Sequence, residues 1–197
     1  MNIGIDIDDT TFITVNSMLK YADIYNEKIL KKDKIKLDYG LIKNNYYLES
    51  LYGWTKEIKF DFFNKYYKNI LEECIPKNNS PEIINKLKNE GNKIYFITAR
   101  LTNIKNCDSE SITKDALNKY NIKYDKLIIN ASNKLKYVKE NNINIFIDDS
   151  YEVCKELFDN GIKTYLMTTK MNEAIDSGKI ERVNNWNEIY EKIKLGK

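Results

Sequence analysis

The sequence predicts an α/β protein, a parallel sheet covered on both faces by helices and interrupted by one helical insertion. Three observations predict it. Short isoleucine-rich or aromatic-rich runs alternate with amphipathic stretches over most of the 197 residues. Two of those runs end in acids, Ile3-Gly4-Ile5-Asp6-Ile7-Asp8-Asp9 and Ile145-Phe146-Ile147-Asp148-Asp149. One connection, from Phe12 to Ser80, far exceeds the dozen or so residues that a crossover between neighbouring parallel strands needs.

Strands are expected at Asn2 to Ile7, Lys93 to Thr98, Lys126 to Ile129, Asn144 to Ile147 and Lys163 to Met167. Helices are expected at Ser109 to Lys119, Asn133 to Glu140 and Tyr151 to Asp159, the last stopped by Asn160-Gly161. Pro81 opens another helix, to Asn89, and the chain finishes with one near Trp186 to Ile193. Inside the long connection, Thr14 to Lys31, Leu41 to Leu51 and Thr55 to Cys74 have helical patterning, with Ile58, Phe62, Tyr66, Ile70 and Leu71 on one stripe. The expected division is a core of residues 1–12 plus 78–197 and a helical cap of 13–77. Lys31-Lys32-Asp33-Lys34 and Lys77-Asn78-Asn79-Ser80 are the expected joints. An insertion placed directly after an acidic loop is positioned to act as a lid that excludes water.

Composition removes whole classes of chemistry. The chain contains no histidine, so acid/base and metal work falls to carboxylates, lysine, tyrosine or thiols. Carboxylate oxygens from two strand ends make one acidic, metal-binding pocket, and hard oxygen donors favour Mg2+. Cys74, Cys107 and Cys154 are odd in number and lack CxxC spacing, which fits a reducing compartment. No long uncharged run could span a bilayer, and the chain enters a strand at once, so a soluble cytoplasmic protein without a membrane partner is expected. A net charge of +3 with dispersed lysines fits a small phosphorylated partner better than a nucleic acid polymer.

Asp6-Ile7-Asp8-Asp9-Thr10 after a strand, Ile97-Thr98-Ala99-Arg100 closing the second, a lysine at a helix start and Ile147-Asp148-Asp149-Ser150 closing the fourth resemble, in order, the four motifs of the haloacid dehalogenase superfamily of phosphohydrolases. Tyr52-Gly53-Trp54 and Tyr124-Asp125-Lys126-Leu127 are similar to the branch of cytosolic type C deoxy-5'-nucleotidases and their bacterial relatives. The resemblance implies a Rossmann-like core with a cap and an aspartyl-phosphate mechanism. It makes Asp6 the nucleophile and Asp8 the acid and base. Mg2+ would be held by Asp6, the Asp8 carbonyl and the Asp148/Asp149 pair, with Asp148 favoured as the direct ligand.

On the same basis Thr98 and the backbone of Ala99 would contact phosphoryl oxygens, and Lys134 would offset charge from the first turn of its helix, with Lys136 as the other candidate. Asp9 stands where many relatives carry glycine and is read as structural. Arg100 and Arg182 are the two arginines of a lysine-rich chain. An arginine at 100 points to an ion pair that locks the loop or to a bidentate oxyanion contact. Neighbouring acids and a closed lid would raise the Asp8 pKa while a metal would lower it, a balance the sequence leaves open.

The insertion is rich in rings: Tyr46, Tyr47, Tyr52, Trp54, Phe60, Phe62, Phe63, Tyr66 and Tyr67. Phe62, Phe63 and Tyr66 are expected in a core, whereas the glycine-marked Tyr52-Gly53-Trp54 corner is expected to offer rings to a base. A nucleoside 5'-monophosphate is the implied substrate. The residues by themselves support a small phosphomonoester with a planar or apolar end, leaving sugar phosphates and a nonhydrolytic binding module as alternatives.

Overall fold

A computed structural model describes residues 1–33, 36–38 and 47–196. In chain order the elements are β1 (Asn2–Ile5), β2 (Phe12–Ile13), α1 (Val15–Lys28), α2 (Tyr47–Tyr52), α3 (Lys56–Glu72), β3 (Ile75–Pro76), α4 (Ser80–Asn89) and β4 (Lys93–Ile97). They continue with α5 (Ser109–Lys119), β5 (Lys126–Ile128), α6 (Lys134–Glu140), β6 (Ile145–Asp148), α7 (Tyr151–Asp159), β7 (Lys163–Met167), β8 (Glu181–Val183) and α8 (Trp186–Leu195). Leu41 to Tyr46 of the expected second helix lie outside the described residues, as do Lys34 of the expected joint and the side chain of Tyr47.

Six parallel strands form a sheet in the order β5-β4-β1-β6-β7-β8. From β1 the chain builds outward through β4 and β5, then returns to the other side of β1 for β6, β7 and β8. That reversal places a topological switch point at the carboxyl ends of β1, β4 and β6, where open parallel sheets bind ligands. Side chains alternate between faces. Ile3, Ile5, Ile94, Phe96, Ile145 and Ile147 join Leu87, Trp186 and Ile189 on one side, while Phe146 and Ile97 join Val138 and Leu157 on the other. Gly4 faces Phe146 across the β1–β6 pair, and a Cβ there would lie 2.4 Å from the ring carbon Cδ2, so this central strand position needs glycine.

Side chains cap many helix starts. Thr55 accepts from Ile58 N, Asp108 from Ser111 N, Asn133 from Lys136 N, Ser150 from Val153 N and Asn185 from Glu188 N. Two features were absent from the sequence expectation. The edge strand β8 is three residues long with no alternating apolar pattern, and β2 and β3 are two-residue strands paired antiparallel. The latter ribbon ties together the two ends of the helical module α1–α3. That module has a core of its own, from Met18, Ala22, Tyr25, Leu48, Leu51, Tyr52, Trp54, Phe62 and Ile70. Among the described residues no helix is long and apolar enough to cross a membrane.

Candidate active site

The chain leaving β1 makes a tight acidic loop. The Asp6 amide still donates to Ile147 O (2.9 Å), continuing the sheet by one residue. The loop then folds back, with the amides of Thr11 and Phe12 donating to Ile7 O and the Thr11 hydroxyl to Asp6 O. Asp9 has φ +53°, a conformation aspartate tolerates, and its carboxylate accepts the amides of Thr14 and Val15 at 3.0 Å each. Asp9 therefore anchors the start of α1. Trp186 Nε1 fixes the loop from behind through Thr10 O (3.0 Å).

Lys134, in the first turn of α6, reaches two strand ends at once. Its Nζ lies 2.5 Å from Asp6 Oδ1 and 2.7 Å from Asp148 Oδ2, with all three groups buried. Burial pushes the Asp6 carboxyl up to about 7; Lys134 pulls against that shift, and Asp148 and Asp8 add to it. Burial would lower Lys134, but Asp148 and Asp6 reverse it and the ammonium is held above its ordinary range. Asp149 is pushed well up by burial and then by Asp9, Asp148 and Asp6. One oxygen each of Asp6, Asp148 and Asp149 lie within 4.8 Å of one another. With all three carboxyls ionised, one ammonium leaves two negative charges, which a divalent cation with a taste for hard oxygen matches. The residues present fit such an ion.

Asp8 takes a different partner. Arg100 Nη2 lies 2.8 Å from Asp8 Oδ1, Arg100 Nε lies 3.2 and 3.1 Å from its two oxygens, and Thr14 Oγ1 donates to Oδ1 at 2.6 Å. Burial would raise the Asp8 carboxyl, but the Arg100 charge and hydrogen bonds, with Thr14, hold it below its usual value. Thr98, at the end of β4, has its amide on Ile128 O and its carbonyl on Ala131 N, and its Oγ1 accepts from Arg100 N at 3.3 Å. Together these groups floor a cavity of about 590 Å³. Its wall comes from α3, which presents Lys56, Lys59, Phe60, Phe63 and Tyr67 along one helical face, with Met18 and Met171 also lining it.

No protein-family model matches the chain. A nucleotidase of Clostridium acetobutylicum is 29% identical over 195 residues, covering 96% of this chain and 92% of the relative. Among solved structures, a haloacid dehalogenase-like family hydrolase of Streptococcus pneumoniae superimposes with a TM-score of 0.73 at 16% identity, covering 98% of this chain and 97% of that one. A predicted phosphatase of Clostridium acetobutylicum does so with a TM-score of 0.73 at 15% identity and 98% coverage of both chains.

This chain has the haloacid dehalogenase fold. It shares that fold with hydrolases and phosphatases of the superfamily, and its sequence is similar to that of a nucleotidase. The fold brings Asp6, Asp8, Thr98, Ala99, Arg100, Lys134, Asp148 and Asp149 to one cavity. Lys136 points away and pairs loosely with Glu140 on the surface. The Asp8 carboxylate is not one of the three that converge on a metal position.

Tyr52 and Trp54, expected to offer rings to a substrate, are instead buried in the module's own core and do not line the cavity. Tyr52 donates to Asp23 and Trp54 Nε1 to Asn26 Oδ1, while both rings pack on each other and Trp54 packs on Tyr25 and Phe62. Phe60, which is 53% exposed, the partly covered Phe63 and the buried Tyr67 are rings that line the cavity. Their spacing on one helical stripe was a usable signal.

Sequence reasoning also missed Asn172. Its Nδ2 donates to Asp149 O (2.6 Å) and Met167 O (2.9 Å), and Arg182 clamps it through Oδ1 (3.0 Å) and its carbonyl (2.8 Å). No motif announces it, although Arg182 was the other arginine in a lysine-rich chain.

Proposed function

We propose that this hydrolase releases phosphate from (deoxy)nucleoside 5'-monophosphates through a phosphoryl group carried transiently on Asp6. The observation that supports this most directly is the buried Asp6–Lys134–Asp148 triad at the switch point, with Asp8 beside it in the same cavity. The nucleotide preference rests on the nucleotidase relative and on the phenylalanines at the cavity. Lys134 takes one oxygen of Asp6 and leaves the other to attack phosphorus. As that oxygen–phosphorus bond forms, the ester bond breaks and its electron pair goes to the departing oxygen, which takes a proton from the Asp8 carboxyl, protonated in the bound complex, where the substrate's negative charge offsets the pull of Arg100. Water then attacks the aspartyl-phosphate, Asp8 receives its proton, and inorganic phosphate leaves. Thr98 and the turn at Ala99 donate to the phosphoryl oxygens.

Magnesium held by Asp6, Asp148 and Asp149 would supply the positive charge that lets an anionic ester approach an anionic nucleophile. Two like charges about 4 Å apart repel by roughly 4 kcal/mol at an effective dielectric near 20, so this offset is worth about a thousandfold in rate. Residues 13–77 act as a cap over the cavity, since α3 forms its wall. The test is hydrolysis of a panel of deoxynucleotides, ribonucleotides and sugar phosphates with and without magnesium. Turnover of nucleoside monophosphates with release of the nucleoside is expected. A strong preference for sugar phosphates overturns the substrate assignment.

A further inference from the structure

We propose that Arg100 is a positioning residue for Asp8, fixing that carboxyl where it meets the departing oxygen of the substrate. The inference rests on the hydrolase reading above. Arg100 has a side chain only 1% exposed, whereas that of Asp8 is 32% exposed toward the cavity. The cation therefore stands behind the carboxylate, which is the group a substrate meets. Nε, Nη1 and Nη2 are each engaged, two on Asp8 and one on Thr113 Oγ1 (2.8 Å). A guanidinium so committed braces a neighbour and has little left to offer a phosphoryl oxygen.

The brace has its own support. The Thr113 hydroxyl donates to Ser109 O (2.6 Å) within α5, and Ser109 Oγ donates to Leu101 O (2.6 Å). Tyr67 OH on α3 accepts the Leu101 amide at 3.0 Å, so the helical module also grips the residue beside Arg100. Thr14 donates to the same Asp8 Oδ1 that Arg100 binds. An aspartate side chain with two rotatable bonds is thereby held by donors from two segments of the chain. A lysine at 100 would keep the charge but could not bind both carboxylate oxygens and Thr113 together. That accounts for an arginine in this lysine-rich chain.

The chemistry makes the role separable from simple structural support. An alkyl oxygen leaves as an alcohol and needs the Asp8 proton, whereas p-nitrophenolate leaves as a stable anion without one. Water attack on the phosphorylated enzyme needs Asp8 whichever ester is used, so the comparison is read on kcat/KM, which stops at departure of the leaving group. Arg100→Met is expected to lower kcat/KM for a nucleoside monophosphate about 100-fold, the low end of what general acid catalysis supplies, and kcat/KM for p-nitrophenyl phosphate about threefold or less. Arg100→Lys should show the same split, and Thr113→Val a weaker version of it. These two milder variants carry the test if Arg100→Met does not fold. Equal losses of kcat/KM on both esters overturn the positioning role and leave the hydrolase reading standing. A wild-type protein that hydrolyses neither ester removes the hydrolase reading itself.

Discussion

At the sheet edge, five aspartates, Asp6, Asp8, Asp9, Asp148 and Asp149, are crowded around Lys134, Arg100 and the half-buried Lys77, whereas in the helical module the rings of Tyr25, Tyr52, Trp54, Phe62 and Tyr66 are crowded around each other. The first crowd costs free energy that has to be recovered by ligation and ion pairing. The second gains it by burying apolar area. A cluster of five acids that Lys134 and Arg100 offset only in part, held together by a rigid sheet, points to a ligand that supplies the remaining positive charge. A cluster of rings needs no ligand to account for it.

The largest effect that tests this contrast is at Asp6. Asp6→Asn should lower turnover by at least about 10⁴-fold, since the proposed nucleophile is lost while binding groups remain. Removing one of several like charges should leave the metal-free protein at least as stable as before, as read by thermal melting. Retained turnover would mean that Asp6 carries no phosphoryl group.

Next in size is the pair Trp54→Ala and Phe60→Ala. Trp54 is buried among rings, so its loss should cost about 3–5 kcal/mol in a denaturant melt, with KM of the remaining folded enzyme unchanged. Phe60 is exposed at the cavity, so its loss should cost less than about 0.5 kcal/mol. KM for a nucleotide should rise about tenfold if the ring stacks on the base. The reversed pattern would restore the Tyr52-Gly53-Trp54 corner as the substrate surface.

This contrast also explains what was legible beforehand. Strands β1, β4, β6 and β7 were readable because buried parallel strands are continuous apolar runs, and the acids stood out because they follow those runs without a break. Lys134 was readable from the Asn133 cap that places it in a first turn. Strand β8 was not, since Glu181-Arg182-Val183 pairs at an edge that imposes no apolar pattern. Composition could not separate Trp54, in the turn before α3, from Phe60 on α3, because the packing of α3 against α1 decides which rings turn inward. Asn172 acts through backbone carbonyls, those of Asp149 and Met167, which any residue type supplies and which therefore leave no motif.

A smaller effect concerns pH. Asp6 is raised to about 7 and Asp9 to about 6 from an ordinary 3.8, so between about pH 4 and 7 the folded protein binds more protons than the unfolded chain. Stability of the metal-free protein should therefore fall as pH rises through that window. A drop of roughly 5 °C in melting temperature from pH 5 to 7.5, reversed by magnesium at the higher pH, is the expected reading. A metal-free melting temperature that rises over the same interval would mean that Lys134 and Arg100 already balance the acids.

The smallest effect is the most pointed comparison within one helix. Lys134 and Lys136 are two residues apart on α6, yet one side chain is buried between Asp6 and Asp148 and the other is 59% exposed, with its Nζ 3.9 Å from Glu140. An exposed pair of that kind contributes about 0–1 kcal/mol. The Asn133 cap bonds the Lys136 amide, which alanine keeps. Lys136→Ala should therefore change stability by less than about 0.5 kcal/mol and leave kcat and KM within twofold, about the reproducibility of such assays. Should Lys136→Ala instead impair turnover on its own, the charge that balances Asp6 would have to be shared along the helix, and the separation between a ligand-demanding sheet edge and self-sufficient surroundings would fail at its nearest boundary.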